Sequence, residues 1–417
     1  MEKSWLLAFL LQTIATEAAF SVGGGVGAGV GVGGVIGSLG GGGGGVWIGG
    51  GTNSPTTPFG SSISNLNMAY TALQAWKSVI TDDPLGILNT WVGSNVCSYK
   101  GVFCSEPRDA MVGTTSLVVA AIDLNHANLQ GTLVNELSLL TDVSLIHLNS
   151  NRFTGTIPES FNELTSLTEL DLSNNHFSGS FPTTTLLIPN LLYLDLRFNF
   201  FSGPIPEGLF NKKLDAIFLN NNNFDGQLPQ NMGNSPASVI NLANNKFSGD
   251  IPFSFGYMSP RLKEILFLNN QLTGCIPDGV GLWTDLQVFD VSFNSLMGRL
   301  PDSVSCLNEI EVLNLAHNNL SGVLPDLICS LRSLENLTVA YNFFSGFSQE
   351  CAKLFFRNVG FDFSLNCIPG REMQRPQPEC SAVPGGSLSC LRIPSPKPLV
   401  CGALLKTQES SSSPSPP

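Results

Sequence analysis

The string Ile146-His147-Leu148-Asn149-Ser150-Asn151-Arg152-Phe153-Thr154-Gly155-Thr156-Ile157-Pro158 constrains this chain more than any other feature, because its order of residue types keeps returning. Two Leu-like residues, Asn, Phe or Leu, Gly and Ile/Leu-Pro recur from Leu170, Leu194, Ile217, Ile240, Ile265, Phe289 and Leu313. A degenerate copy opens the series at Ile122, and one without Ile-Pro closes it at Leu337. The repeat glycines run from Gly131 to Gly346 at intervals of 23–25 residues.

One copy has too little apolar surface to fold alone and must stack on its neighbours. In Glu169-Leu170-Asp171-Leu172-Ser173, alternation turns the leucines inward and the polar residues outward. Stacked in register, such segments make a parallel sheet. The expected fold is an α/β solenoid: a right-handed leucine-rich-repeat superhelix of about ten repeats with a concave parallel sheet and disulfide-bonded caps. The ladder Asn151, Asn175, Asn199, Asn222, Asn245, Asn270, Asn294, Asn318, Asn342 falls where each coil leaves the sheet. An Asn amide both donates and accepts, so it pairs turn groups that burial would orphan. Ala127 replaces it in the first repeat, as befits an atypical end. Gly permits the bend, and Ile/Leu-Pro is expected to start a second short extended segment.

The composition divides the chain. Residues 117–346 carry 21 acidic and 9 basic residues, so the whole formal charge of −12 lies in the repeats. That disfavours nucleic acid and anionic membranes and favours a cationic partner. Lys3 precedes an apolar run at Trp5–Leu11 with Ala15, Ala18 and Ala19 beyond, which predicts a signal peptide at 1–20. No later run is apolar enough to span a bilayer. A Gly/Val-rich then Pro/Ser/Thr-rich linker (21–64) cannot bury enough apolar area to order itself. Residues 65–116 read as an N-terminal cap: a helix with Leu66, Ala69, Tyr70, Leu73, Trp76 and Ile80 on one face, then Asp83-Pro84-Leu85-Gly86, Trp91 and a Cys97–Cys104 bridge. The repeats occupy 117–347, a Cys-rich cap and linker 348–402, and a Ser/Pro-rich stub 403–417.

Ten cysteines suit an oxidising compartment. Cys306 and Cys329 lie in neighbouring repeats one residue out of phase and are expected to pair, with Cys351–Cys367 next. Cys275 and one of Cys380, Cys390 and Cys401 are then left to pair with each other, stay free, or link two chains as a homodimer.

The helix–Asp-Pro-Leu-Gly–Trp–Cys…Gly-Val-Phe-Cys block before Ile-Pro repeats resembles plant extracellular leucine-rich-repeat proteins. The strings Ala121-Ile122-Asp123-Leu124-Asn125-His126-Ala127, His147–Phe153, Val288-Phe289-Asp290-Val291-Ser292-Phe293-Asn294, Tyr341–Gly346 and Asn366-Cys367-Ile368-Pro369-Gly370-Arg371 narrow this. They resemble the leucine-rich-repeat extensins of plant cell walls. That family continues into long Ser-Pro repeats, whereas only Ser410–Pro417 of such a region is present here. The resemblance implies a secreted, non-enzymatic wall protein that acts as a receptor for rapid alkalinization factor peptides, which are small, basic and cysteine-rich.

Outward residues of the expected sheet form a column: Asp123, His147, Asp171, Asp195, Phe218, Asn241, Leu266, Asp290, Asn314 and Thr338, flanked by Glu169, Tyr193, Glu264, Arg197 and Phe198. Acidic residues among aromatics suit Lys or Arg of a ligand through charge-assisted hydrogen bonds and cation–π contact. The candidate peptide contacts are Asp123, His147, Glu169, Asp171, Tyr193, Asp195 and Phe218. The bland alternative is a solvated charged face. His126 and His147 lack a third metal ligand, and a shallow sheet offers no dry pocket for glycosidase work by Asp171 and Asp195, so no cofactor or metal is expected. Asn319 and Asn336 head glycosylation sequons. Two other readings keep the fold: a structural wall component associating with pectin, which is polyanionic and ill matched to an acidic face, and an inhibitor of wall-degrading enzymes.

Overall fold

The computed structural model describes residues 65–107, 117–258 and 260–383 and a short strand pair at 399–400 and 403–404. The segments expected at 1–20 and 21–64, most of the stub at 403–417, and Cys390 and Cys401 lie outside the described residues.

Twelve strands form the principal sheet, of which ten, from Val118–Asp123 to Asn336–Thr338, belong to the expected repeats. Each pairs in parallel with its neighbours, and homologous positions stand directly opposite, as in Ile146↔Leu170 and Leu170↔Leu194. The inward leucines are therefore all buried in one continuous core. At one end, Val102–Ser105 adds antiparallel to Val118–Asp123. At the other, Gly360–Asp362 adds in parallel to Asn336–Thr338. This last coil falls within the segment expected to be cap, and Asn366 closes it as the ladder asparagines close the others.

The ladder binds coil to coil. Asn175 accepts the Phe153 N–H of the preceding coil at 3.0 Å and donates to Leu148 O at 2.8 Å and Leu172 O at 3.2 Å. The residue before each ladder Asn adopts φ of 50–58°, whether it is Asn174, Phe198 or Tyr341. Asn tolerates that conformation better than a bulky side chain does, so the aromatics there are held by their surroundings.

A second sheet runs along the flank, formed by segments such as Arg152–Gly155 and His176–Gly179. It corrects the expectation that Ile/Leu-Pro begins the second extended segment: the strand precedes the proline. The proline instead leads into a short helical segment, 3₁₀ in most coils, as Pro158 does for Glu159–Glu163 with φ −60°, and α-helical after Pro182 and Pro206. Its fixed φ suits the entry to a turn, and the missing N–H is one the turn would not use. Behind this sheet Phe153, Phe177, Phe201, Phe224 and Phe247 stack at centroid spacings of 6.1–6.4 Å. Trp76 of the helix Asn65–Ser78 extends the row, 5.7 Å from Phe153, so the N-terminal helix covers the open end of the core.

Cys97 bonds Cys104, tying the turn Val96–Ser98 to the added strand. The expected pairs Cys306–Cys329 and Cys351–Cys367 are not formed; Cys329 bonds Cys351 and Cys367 bonds Cys380. Cys306 is the fifth residue of its turn, Asp302–Cys306, and Cys329 the fourth of Asp326–Ser330. In a 3₁₀ turn one position rotates a side chain by about 120°. The one-residue offset therefore turns the two thiols apart and aims Cys329 at the next element, Gln349–Ala352. Cys275 and Cys306 are also disulfide-bonded, so neither is a free thiol.

Candidate functional site

Register on the principal sheet brings Asp123, His147, Asp171 and Asp195 side by side on four successive strands, and Phe218 on the fifth. Glu169 and Tyr193 form the adjoining column. The structure thus assembles all seven candidate contacts on one face, yet it divides them into two environments.

Asp123 and Glu169 are exposed, and His147 and Asp171 half-buried. His147 Nε2 lies 3.3 Å from the Glu169 carboxylate. Asp171 Oδ1 accepts the Ser173 N–H at 2.9 Å and its hydroxyl at 2.6 Å, which fixes the carboxylate against the sheet. At this end negative groups face solvent and can meet a cationic ligand.

One strand on, the environment changes. Asp195 is buried, held by Arg197 Nε at 2.9 Å, the Arg197 N–H at 3.0 Å and the Tyr193 hydroxyl at 3.2 Å. Burial pushes its carboxyl up to about 7, outweighing the opposing pull of Arg197. Burial likewise raises the Tyr193 phenol far above its ordinary range. Arg197 stacks 5.1 Å over Phe218, and Tyr193 leans on the same ring at 5.6 Å. Asp195 therefore serves as the anchor of an Arg–aromatic cluster and does not present an open carboxylate. Beside it Asn220 is 2% exposed, and its Oδ1 has no hydrogen-bond partner among the described residues.

Farther along, the face turns apolar. Ala243, Leu266 and Leu268 form a small cluster separate from the main core. Glu264 is half-buried, and desolvation raises its carboxyl to about 7. Asp290 is buried and bonded to Ser292 and Asn314, and burial raises it too. Of the sequons, Asn336 is exposed on the principal sheet with the Thr338 hydroxyl donating to its Oδ1 at 2.9 Å, and Asn319 is half-buried on the flank. Arg197 and Asn220 are the members of the site that column reading underrates. The signal for both was their place two residues beyond the central column.

Comparison with known proteins fits this geometry. The family description "Leucine rich repeat N-terminal domain" matches residues 66–105, and "Leucine rich repeat" matches 141–201 and three further segments between 238 and 331. Leucine-rich repeat extensin-like protein 6 of Arabidopsis thaliana is 56% identical over 336 residues, spanning 80% of this chain and 70% of that protein. Leucine-rich repeat extensin-like protein 7 of the same plant is 63% identical over 229 residues, 55% of this chain and 52% of that one. The chain thus spans between about half and 70% of the length of these two relatives. Among solved structures, the Arabidopsis receptor kinase HAESA ectodomain in complex with an IDA peptide hormone superposes with TM-score 0.59 and 29% identity, covering 68% of this chain and 46% of that one. The plant peptide hormone receptor RGFR1 in complex with RGF2 gives TM-score 0.52 and 28% identity, covering 60% and 44%.

Proposed function

The chain belongs to the leucine-rich repeat extensin-like proteins, and on that premise we propose that its sheet face binds a basic cysteine-rich signalling peptide of the rapid alkalinization factor type. In this reading it is a secreted wall protein, not an enzyme, that contributes to wall organisation and growth control. The observation that carries the reading is the register of Asp123, His147 and Asp171, with Glu169 beside them, next to the Tyr193–Arg197–Phe218 cluster. Exposed carboxylates steer and hold Lys or Arg of the peptide, while the aromatic cluster offers flat apolar area at low entropic cost. Leucine-rich-repeat ectodomains of similar fold hold peptide hormones, which supports the class of ligand.

Titration calorimetry of the full chain with a basic cysteine-rich peptide tests this. Glu169→Lys/Asp171→Lys reverses two charges without entering the core and is expected to weaken binding by about tenfold or more. Unchanged affinity in a variant that melts like the parent would remove the proposal.

A further inference from the structure

The column one place before the asparagine ladder turns aromatic in its last three repeats. Phe293, His317 and Tyr341 stand there with φ of 53°, 53° and 55°. Their rings lie nearly parallel, with His317 in the middle and 4.0 Å from each neighbour. The buried phenylalanine row keeps 6.1–6.4 Å, so this outer stack is far tighter. Bulky side chains rarely adopt such backbone angles, and here the ring faces hold one another in place.

The stack abuts a strap. Residues 368–380 cross back over the final coils, where the Leu365 N–H donates to Met373 O and the Arg375 N–H to Asn366 O, both at 2.7 Å. Arg375 pins the crossing. Its Nε donates to Asn342 O at 2.8 Å, its guanidinium lies 4.4 Å over the Phe343 ring, and its Nη1 meets Glu379 at 3.0 Å. Asn342 and Phe343 directly follow Tyr341, so pin and stack share one stretch of chain. The Cys367–Cys380 bridge closes the strap at its base and leaves its middle to these weaker contacts.

A titratable ring in the middle of such a stack couples protonation to packing. His317 is half-buried, and aromatic rings cover both its faces. The charged groups that face it are Arg375 of the strap and Asp362, the last residue of Gly360–Asp362. Burial and then Arg375 lower its imidazole below the ordinary value, against the opposing pull of Asp362. The π faces of Phe293 and Tyr341 act in the other direction, since they attract a cation.

We propose that His317 is an acid-sensitive latch for the C-terminal strap: charging its imidazole sets a cation against Arg375 and loosens 368–380 from the last coils while the solenoid stays folded. The folded chain takes up this proton less readily than the unfolded chain does. The contribution to stability is therefore fully present above about pH 6.5 and is lost as pH falls. Nothing in this inference depends on the peptide reading.

Hydrogen exchange of the full chain tests it, read at the Leu365 and Arg375 amides that fasten the strap. Their protection, relative to an unstructured chain, is expected to fall by about threefold or more from about pH 7.5 to about pH 5, while the Leu170 and Leu194 amides of the sheet keep theirs. His317→Phe retains three stacked rings and removes the proton, so strap protection should then be equal at both pH values. His176→Phe, on the flank, should behave as the parent does. The imidazole signals of the four histidines in the unaltered chain give a second reading. There His317 is expected to titrate below the ordinary value of about 6.5. Four outcomes would overturn the inference. These are strap protection indifferent to pH; equal loss in the sheet, which means general acid loosening; a His317→Phe chain that keeps the parent's response, which means another group titrates; and a His317 midpoint at or above the ordinary value, which means the ring faces stabilise the cation.

Discussion

The carboxylate of Asp195 sits 2.9 Å from the guanidinium of Arg197 and is wholly buried on the sheet face. Asp195 ends the strand Tyr193–Asp195 and Arg197 follows two residues later, so the pair is local in sequence. Its burial is not local, and that burial sets how the group titrates. Breaking such a pair from one side leaves the other charge uncompensated, whereas protonation removes the carboxylate charge without removing its hydrogen-bonding atoms.

Asp195 gives a pH signature. In an unfolded chain its carboxyl titrates near 3.9, and in the fold at about 7. Between those values the folded protein keeps a proton that the unfolded chain has released. The group's contribution to stability is thus fully present below about 4 and is lost as pH rises through about 7. Asp195→Asn is expected to abolish this contribution. Denaturant unfolding of variant and parent across that range should show their stability difference shifting with pH; a constant difference would contradict the burial.

The asparagine ladder predicts a uniform penalty. Asn175→Ala orphans the buried Phe153 N–H and takes one of two donors from the Leu148 and Leu172 carbonyls, which keep Asn151 and Asn199. Each buried group left unpaired costs about 1–3 kcal/mol. Equilibrium unfolding should show a loss of at least that size, and a similar one for Asn318→Ala, whose partners Leu296, Val291 and Leu315 are equivalent.

Gly256 and Gly279 let adjacent turns touch. A Cβ on Gly256 would stand 2.6 Å from the Cα of Gly279, with backbone on both sides and no flexible side chain to yield. Gly256→Ala is expected to destabilise by about 1–3 kcal/mol through forced separation of the coils. A thermal melt within error of the parent would show that the turns can part freely.

The disulfide assignment is open to direct mapping. Proteolysis without reduction should release peptides joined through Cys329–Cys351 and Cys367–Cys380, and none joined through Cys306–Cys329. Cys329→Ser and Cys351→Ser are expected to lower the melting temperature equally, since either removes the same cross-link.

Much of the architecture was legible beforehand for a single reason: a coil that cannot fold alone must repeat whatever its neighbour needs. The leucines, the ladder and the glycines therefore announce their positions by period. Where the period blurred, reading failed. The coil at Gly360–Asp362 carries Phe361 and Phe363 in place of leucines and no Ile-Pro after its glycine, although Asn366 and Gly370 stand 24 residues after Asn342 and Gly346. The cysteines escaped for a different reason, since spacing along the chain leaves open which way a one-turn helix points a thiol.

The linear order of residues was thus sufficient for the stacked coils, the parallel register and the membership of the outward columns, because those follow from alternation and period. It was insufficient for burial and pairing. Asp123 and Asp195 occupy the same column and are the same amino acid, but one meets water and the other lies against Arg197 and Tyr193. Only the packed fold decides that difference, because a carboxylate's solvation depends on every side chain near it in space: Arg197 and Tyr193 are two residues away, but the Phe218 ring that both lie against comes from the next coil.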